Sequence, residues 1–489
     1  MKKVYIAAAF RKFTDRTIIQ GNRAYGVLSD GSYTDFLESI ESVFADFGFY
    51  TCLPHRDEGL WGKVYFEPSA ISALCFRHVA TSDVLFAIAE EGRGVHLEIG
   101  YASGLGSKTL ILAYQKDKET STLLWGLNTS ITPWTLANPN SSIDIHYLPY
   151  ADHVDLLEKL DALLLSMNYS KLSSLAIRHK RAAIIDIGSH TLKFKVFEVK
   201  SSGFLNQIYA DKISISIIDD LTANNHFSEE TTLRLVIQLN LWRTKCDELS
   251  IDIANVATIA TAAFRLADNA DHVLATIRKD CDLNPVIVTG ETELKYIWNG
   301  IINTFVNCRS LAVLNLGGGS VHCAISDNQG KIDTMLYGFG TKQLVDAFPW
   351  DGPLSQRQYA QLLENVSQRF IDLSPSRLRA TYLVHTGGEL EFLLKCRVPM
   401  DICELSPRHV SQISIDNFKR FSRQFSTHSR EEIAKVYNLD PAWLIGSVAS
   451  NAIAICLAEA LGCKYIIPSN MNIADGLFYE MLGQTSKVL

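Results

Sequence analysis

Apolar positions along the chain fall into short runs separated by amphipathic stretches. Val4–Phe10 opens as a continuous apolar run and predicts a buried strand. Phe36, Leu37, Ile40, Val43, Phe44 and Phe47 then recur at helical spacing, predicting a helix over Tyr33–Phe47 that stops at Gly48. Phe49–Leu53, Val84–Ala89 and Thr109–Tyr114 read as further strands, with a helical stretch at Leu97–Gly104 between the last two. Strands alternating with helices imply a mostly parallel sheet covered on its faces. Ligands of such sheets sit at the carboxyl ends of the strands. That directs attention to the residues around Phe10 and Arg11, after Leu53, and after Ala89.

The pattern restarts past a polar and basic stretch at Met167–Arg181. Ala183–Ile187 is a new apolar strand ending in Gly188-Ser189-His190-Thr191, and Val313–Leu316 ends in Gly317-Gly318-Gly319-Ser320. Two strand–glycine-turn units about 130 residues apart suggest two similar lobes facing a cleft. Between them Leu294, Ile297, Trp298, Ile301, Ile302 and Phe305 form the apolar stripe of an amphipathic helix.

Composition narrows the function classes. The 489 residues include 46 basic and 53 acidic side chains, a formal charge of −7, with 47% hydrophobic residues. That is a folded chain of several domains and not a disordered one. The acidic balance argues against general nucleic-acid binding, which needs clustered Lys and Arg. No uncharged apolar stretch of membrane-spanning character and no cleavable leader is expected, which suggests a cytoplasmic location. The ten cysteines contain no C-x-x-C pair, so they are expected to be reduced, with no zinc and no flavin.

The candidate chemistry of the N-terminal segment centres on Gly94-Val95-His96-Leu97-Glu98-Ile99-Gly100, preceded by Asp83. A carboxylate beside glycines, in a tight and partly dry pocket, can attack an anomeric carbon or steady an oxocarbenium-like centre. Asp83 offers a second carboxylate. With the opening Val4-Tyr5-Ile6-Ala7 strand, these features resemble the nucleoside 2-deoxyribosyltransferase superfamily over residues 4–114, including its nucleotide N-glycosidase branch. The resemblance implies a Rossmann-like domain with Glu98 as nucleophile, Tyr5 steadying it and Asp83 at the sugar. Phe10, Arg11, Arg93 and Gly94 are the substrate-binding candidates, Arg93 being suited to a phosphate.

In the C-terminal segment the glycine turns can cradle phosphate oxygens with backbone amides. The ordered set Asp186-x-Gly188-Ser189, Thr258–Arg265, Thr289–Glu293, Gly317–Ser320, Thr386-Gly387-Gly388 and Ile473–Leu477 resembles the exopolyphosphatase/guanosine pentaphosphate phosphatase family. That resemblance implies a two-lobed actin-like ATPase fold. It makes Glu293 the glutamate that activates water, and it places Asp186, Gly188, Ser189, His190, Thr191, Arg265, Gly317, Gly318, Gly319 and Ser320 around the phosphates. Mg²⁺ is the implied cofactor, with Asp186 as its ligand. Asn315 and His322 stand where the family pattern has acids, which weakens metal recruitment.

Together these readings divide the chain into residues 1–168, a linker at 169–181, and 182–489 with lobes of about 182–310 and 311–489. The expected function is cleavage of a nucleotide N-glycosidic bond through Glu98, gated by a phosphorylated nucleotide bound in the actin-like part. Two alternatives stand beside it: a working Mg²⁺-dependent phosphatase using Glu293, and a non-catalytic nucleotide sensor. The expected partners are the nucleotide substrate, a phosphorylated nucleotide or polyphosphate ligand, and a second copy of the chain.

Overall fold

The structure, a computed structural model, describes residues 2–9, 14–15, 19–20, 23–24, 27–28, 30–62, 66–89, 92–106, 108–117, 122–171, 181–199, 205–215, 217, 219–221, 225–305, 310–326, 332–373 and 378–481. The chain divides into two compact units, one of Met1–Arg181 and Phe197–Tyr209, the other of Ala182–Val196 and Ala210–Leu489. Most of the expected linker, residues 172–180, lies outside the described residues.

The first unit is built on five strands, β1 (Lys3–Ala7), β2 (Tyr50–Cys52), β3 (Val84–Ile88), β4 (Thr109–Gln115) and β5 (Ile145–Tyr150). They pair in the order β2-β1-β3-β4-β5, all parallel. Strand alternation sends Val4, Ile6, Val84 and Phe86 to one face, where they pack on α1 (Gly31–Asp46) and α4 (His153–Ser166). Tyr5, Ala7, Leu85 and Ala87 point to the other face, against α2 (Pro68–Ala80) and α3 (Arg93–Leu105). A sheet buried on both sides needs the continuous apolar runs seen in the sequence. Helix α1 starts at Gly31, two residues earlier than expected, because the Asp30 carboxylate accepts from the Ser32 and Tyr33 amides. Strand order 2-1-3-4-5 puts the topological switch between β1 and β3, so the crevice opens beyond Ala7 and Ile88.

Two further sheets follow, most of whose residues belong to the second unit. In the first lobe β6 (Arg181–Ile187), β7 (Thr191–Val199), β8 (Leu205–Ser214), β9 (Val256–Ala260) and β10 (Pro285–Ile287) pair as β8-β7-β6-β9-β10. In the second, β11 (Leu311–Leu316), β12 (Val321–Ser326), β13 (Ile332–Tyr337), β14 (Tyr382–His385), β15 (Asp401–Ile402), β16 (Ser411–Ser414) and β17 (Tyr465–Pro468) pair as β13-β12-β11-β14-β17-β16-β15. In chain order the first sheet runs 3-2-1-4-5 and the second 3-2-1-4-7-6-5, so the two share the arrangement of their first four strands.

Two helices cross between the sheets. Gly300 of α6 (Gly290–Ile302) meets Gly476 of α10 (Ile473–Met481), and a Cβ at Gly476 would overlap the Tyr296 carbonyl. The apolar segment Pro441–Leu461, contrary to the sequence expectation, is long and apolar enough by composition to cross a membrane. Its helix, α9 (Ser447–Leu461), is nevertheless the central core helix of the second lobe, with Val448, Ile453, Ile455 and Leu457 buried.

Candidate functional site

In the first unit the Tyr5 hydroxyl, on the middle of β1, donates to Glu98 Oε1 at 2.6 Å. Glu98 lies in the second turn of α3, over the Tyr5 face of the sheet. Burial pushes its carboxyl up to about 7, and hydrogen bonds from Tyr5 and Cys75 pull only partly the other way. Among the described residues no cation lowers it, so near neutrality the group is a carboxyl poised between charge states. Gly92, at φ 115° and pressed on Ala9, is the glycine that this turn requires. Gly94 and Arg93 are exposed in the first turn of α3, and a Cβ at Gly94 would meet open space. Phe10 and Arg11 lie outside the described residues.

Asp83 is not part of this arrangement. It precedes β3, and its carboxylate accepts from the Lys3 amide at 2.7 Å, at the amino ends of the strands. In a parallel sheet those ends face away from the ligand crevice. Asp83 therefore pins β1 to β3, and its expected sugar contact is withdrawn.

The second unit gathers most of its predicted residues. Asp186, near the end of β6, is 5% exposed, and its Oδ1 has no hydrogen-bond partner among the described residues. Burial raises its pKa, against the pull of Lys193 and Lys195. Lys195 is paired with Asp475 at 2.7 Å, so the closing helix α10 is tied to β7 beside the site. The turn after β6 is tight, because a Cβ at Gly188 would stand 2.7 Å from the Thr191 carbonyl. Ser189, His190 and Thr191 complete it, all partly exposed.

The second glycine loop faces the first. A Cβ at Gly318 would lie 2.9 Å from His190 Nε2, so the two turns meet across the cleft. The Gly317 amide donates to the Ser320 carbonyl at 2.9 Å, closing the turn. The Gly317 and Gly318 carbonyls accept from Thr341 and Lys342, at the start of α7 (Thr341–Ala347). In a trans peptide the N–H points opposite to its C=O, so the Gly318 and Gly319 amides are aimed away from α7. Gly319 is exposed and Ser320 partly so.

Glu293 sits on the first turn of α6, behind the Thr289 cap. Arg265, on α5 (Ala262–Leu266), donates to Glu293 Oε1 at 2.6 Å and to the Val288 carbonyl at 2.5 Å. Burial raises the Glu293 pKa, Asp186 adds to the rise, and Arg265 opposes it. The two acids therefore lie within electrostatic reach of each other. The guanidinium favours the ionised form.

His322 is a functional neighbour that the sequence reading marked only as a departure. It pairs across the ladder with Asn315, and its ring stands 3.2 Å from where a Cβ of Gly290 would be. It is 4% exposed, and burial, with Arg265 nearby, lowers its pKa to about 4. The two positions that depart from the acidic family pattern are thus one cross-strand pair, and both are uncharged at neutral pH. The signal was present in the sequence as two changes seven residues apart.

Among the described residues there is no group of three or more His, Cys, Asp or Glu side chains that could hold a metal ion. The unpartnered Oδ1 of Asp186 still fits a Mg²⁺ ion of the kind bound through one carboxylate and completed by water and substrate phosphates.

Comparison with known proteins agrees with this geometry. The model of the Ppx/GppA phosphatase family matches residues 196–485. The guanosine-5'-triphosphate,3'-diphosphate pyrophosphatase of Pseudoalteromonas translucida is 24% identical over 307 residues, 61% of this chain and 59% of that protein. The protein of the same name from Photobacterium profundum is 21% identical over 306 residues, 62% of this chain and 59% of that one. The chain thus spans under two thirds of the length of these curated relatives. A solved Ppx/GppA family member from Aquifex aeolicus aligns over 63% of this chain and 100% of its own, with a TM-score of 0.55 at 20% identity. An exopolyphosphatase from Cytophaga hutchinsonii aligns over 63% and 99%, with a TM-score of 0.51 at 19% identity.

These likenesses give the second unit the two-lobed actin-like fold. They overturn N-glycosidic cleavage through Glu98 as the chain's expected function, since the matched family and relatives are phosphatases and pyrophosphatases. The alternative reading, centred on Glu293, is the one that they support.

Proposed function

Because the chain belongs to the Ppx/GppA phosphatase family, we propose that its second unit hydrolyses the terminal phosphoanhydride of a phosphate chain. The substrate is inorganic polyphosphate or the oligophosphate of a nucleotide. The observation that carries this reading is the Arg265–Glu293 pair, set beside Asp186 and two facing glycine turns.

In this reading the amides of Gly318 and Gly319, with the turn Gly188–Thr191, hold the terminal phosphate. Arg265 keeps Glu293 ionised while burial keeps it basic, the combination that a general base requires. Glu293 takes a proton from water, and the water oxygen bonds to the terminal phosphorus. The bridging P–O bond breaks, the shortened chain leaves as the anion, and orthophosphate is released. Lys342, beside the second turn, adds fixed positive charge. Asp186 would hold Mg²⁺, which when bound supplies charge neutralisation to the phosphate oxygens.

The test is orthophosphate release from tripolyphosphate and from nucleoside oligophosphates, with Glu293→Gln as control. Release that survives unchanged in the variant sinks the reading.

For the first unit, the same proposal keeps residues 1–168 as a small-ligand domain resembling the deoxyribosyltransferases, joined through 169–181 to residues 182–489. The parallel 2-1-3-4-5 order and the Tyr5–Glu98 hydrogen bond support it. No bond cleavage is assigned to it.

A further inference from the structure

The 20-residue helix Glu229–Glu248 is apolar on two opposite faces. Its inner face, Leu235, Leu239, Trp242 and Cys246, is buried. Trp242 stacks on Phe194 of β7 at 5.4 Å between ring centroids, and its Nε1 donates to Asp211 at 2.8 Å. The outer face carries Leu233, Ile237 and Leu241, which are 60%, 54% and 60% exposed.

A surface helix needs one apolar stripe, and a helix apolar all round is a buried one. An exposed apolar ring elsewhere in the second unit has a partner in its own chain. Trp443, 38% exposed, lies against Phe392 of α8 (Glu389–Lys395), 6.0 Å between centroids. On Glu229–Glu248, by contrast, three large aliphatic side chains in a row are turned outward, the mark of an interaction surface.

The order of residues along that face says what covers it. Taken every four positions it reads Glu229, Leu233, Ile237, Leu241, Lys245, with an acid at one end, a base at the other and Ile237 at the centre. Turned end for end, this row is its own complement. Leu233 meets the partner's Leu241, Ile237 meets the partner's Ile237, and Glu229 meets the partner's Lys245. Beside the row, Glu230 meets the partner's Thr244 and Arg234 meets the partner's Asn240, so no like charges are opposed. Self-complementarity is what a two-fold interface requires, because one patch has to fit a copy of itself.

The geometry of helix packing agrees. Residues four apart form a ridge inclined about 26° to the helix axis, so two such ridges lie alongside when the axes cross at about 50°, the commonest class of packing. Within one chain Glu229 and Lys245 are about 24 Å apart along the helix and cannot pair. Lys245 is held by Glu248 at 2.7 Å, an exposed pair of the kind that exchanges at little cost.

We propose that the outer face of the helix Glu229–Glu248 is the docking surface for a second copy of this chain, the two helices packing antiparallel about a two-fold axis at Ile237. The inference stands apart from the phosphatase reading, since none of these residues belongs to the Arg265–Glu293 site.

The test is the oligomeric state of the full chain by sedimentation equilibrium, for wild type, Ile237→Glu, Glu229→Lys, Lys245→Glu and the double variant E229K/K245E. Wild type is expected to dimerise with a Kd of about 1–10 μM. Ile237→Glu sets two carboxylates against each other at the centre and should weaken the dimer at least about 100-fold. Each single reversal should weaken it about fivefold, and the double reversal should restore it. Circular dichroism melts should stay near the wild-type value, because the substituted side chains lie on the outer face. Should Ile237→Glu unfold, the charge variants decide alone. A wild type that is monomeric at about 100 μM, or a dimer that Ile237→Glu leaves intact, overturns the proposal. A double reversal that associates no better than the single ones overturns the antiparallel register.

Discussion

Glu98 and Glu293 are two partly buried carboxyl groups, each early in a helix that begins beside a glycine, and each raised by burial. They differ in the group that answers them. Glu98 receives hydrogen bonds from the Tyr5 hydroxyl and the Cys75 thiol, both neutral, and stands at about 7. Glu293 faces the Arg265 guanidinium at 2.6 Å. Burial alone makes an acid that hesitates near neutrality, whereas burial with a fixed cation makes a base. The partner, more than the depth, decides which chemistry each unit can perform.

The sharpest way to break this comparison is Glu293→Gln. It should lower orthophosphate release about 10²- to 10⁴-fold, the usual range for a positioned general base, whereas Glu98→Gln leaves it unchanged. A phosphate-release assay on both variants decides it. Next in size is Gly476→Ala, where the new methyl group has to displace the Tyr296 carbonyl. A loss of about 3 kcal/mol or more in denaturant unfolding is expected, because overpacking a backbone crossing leaves no rotamer to escape into.

The Glu98 carboxyl gives a pH signature with a definite sign. Its pKa rises from 4.5 in the unfolded chain to about 7 in the folded one. The folded state therefore holds the proton longer, and the first unit loses stability as pH rises from about 4.5 to 7. Glu98→Gln removes this loss: it should be neutral at pH 4 and stabilising, on the order of 2 kcal/mol, at pH 8.5. Thermal melts at the two pH values test it. A gain of equal size at both would mean that Glu98 is not a titrating group.

His385 and His409 act in the opposite direction. Burial lowers their pKa values from 6.5 to about 4 and about 3. They therefore cost stability as pH falls below about 6.5, where the unfolded chain takes up protons that the fold refuses. Chemical denaturation of the full chain at pH 7 and pH 5 should show the second unit opening at lower denaturant in acid. The smallest expected effect is Gly104→Ala in α3, where the added methyl group meets open space. It should stabilise the first unit by about 0.5–1 kcal/mol.

Much of this organisation is readable from the sequence, for reasons that the structure makes plain. Strands buried on both faces must be apolar throughout, so β1, β3, β4 and β6 stand out as runs. The first glycine turn stands out because Gly188 is held against the Thr191 carbonyl at a distance that no side chain permits. What the sequence hides is the end of the sheet on which a residue falls. Asp83 and Glu98 look equally near β3, but only strand order shows that Asp83 faces the amino ends. The cavity lined by Gly387 and Asn451 was hidden for a different reason. Thr386-Gly387-Gly388 was visible as a motif, yet Asn451 reaches it from a helix more than sixty residues away, in a segment whose composition advertises only apolar core.

The Tyr296–Gly476 crossing also bears on how the second unit forms. These residues lie 180 positions apart in the chain, and their backbones touch. Closing so long a loop gives no reward until the helices meet, whereas the hairpin β11–β12 can pair within a few residues. The lobe sheets are therefore expected to form early and the α6–α10 crossing late, as the step that limits the rate of folding. A defect at that crossing would appear in refolding kinetics before it appeared in the spectrum of the folded protein.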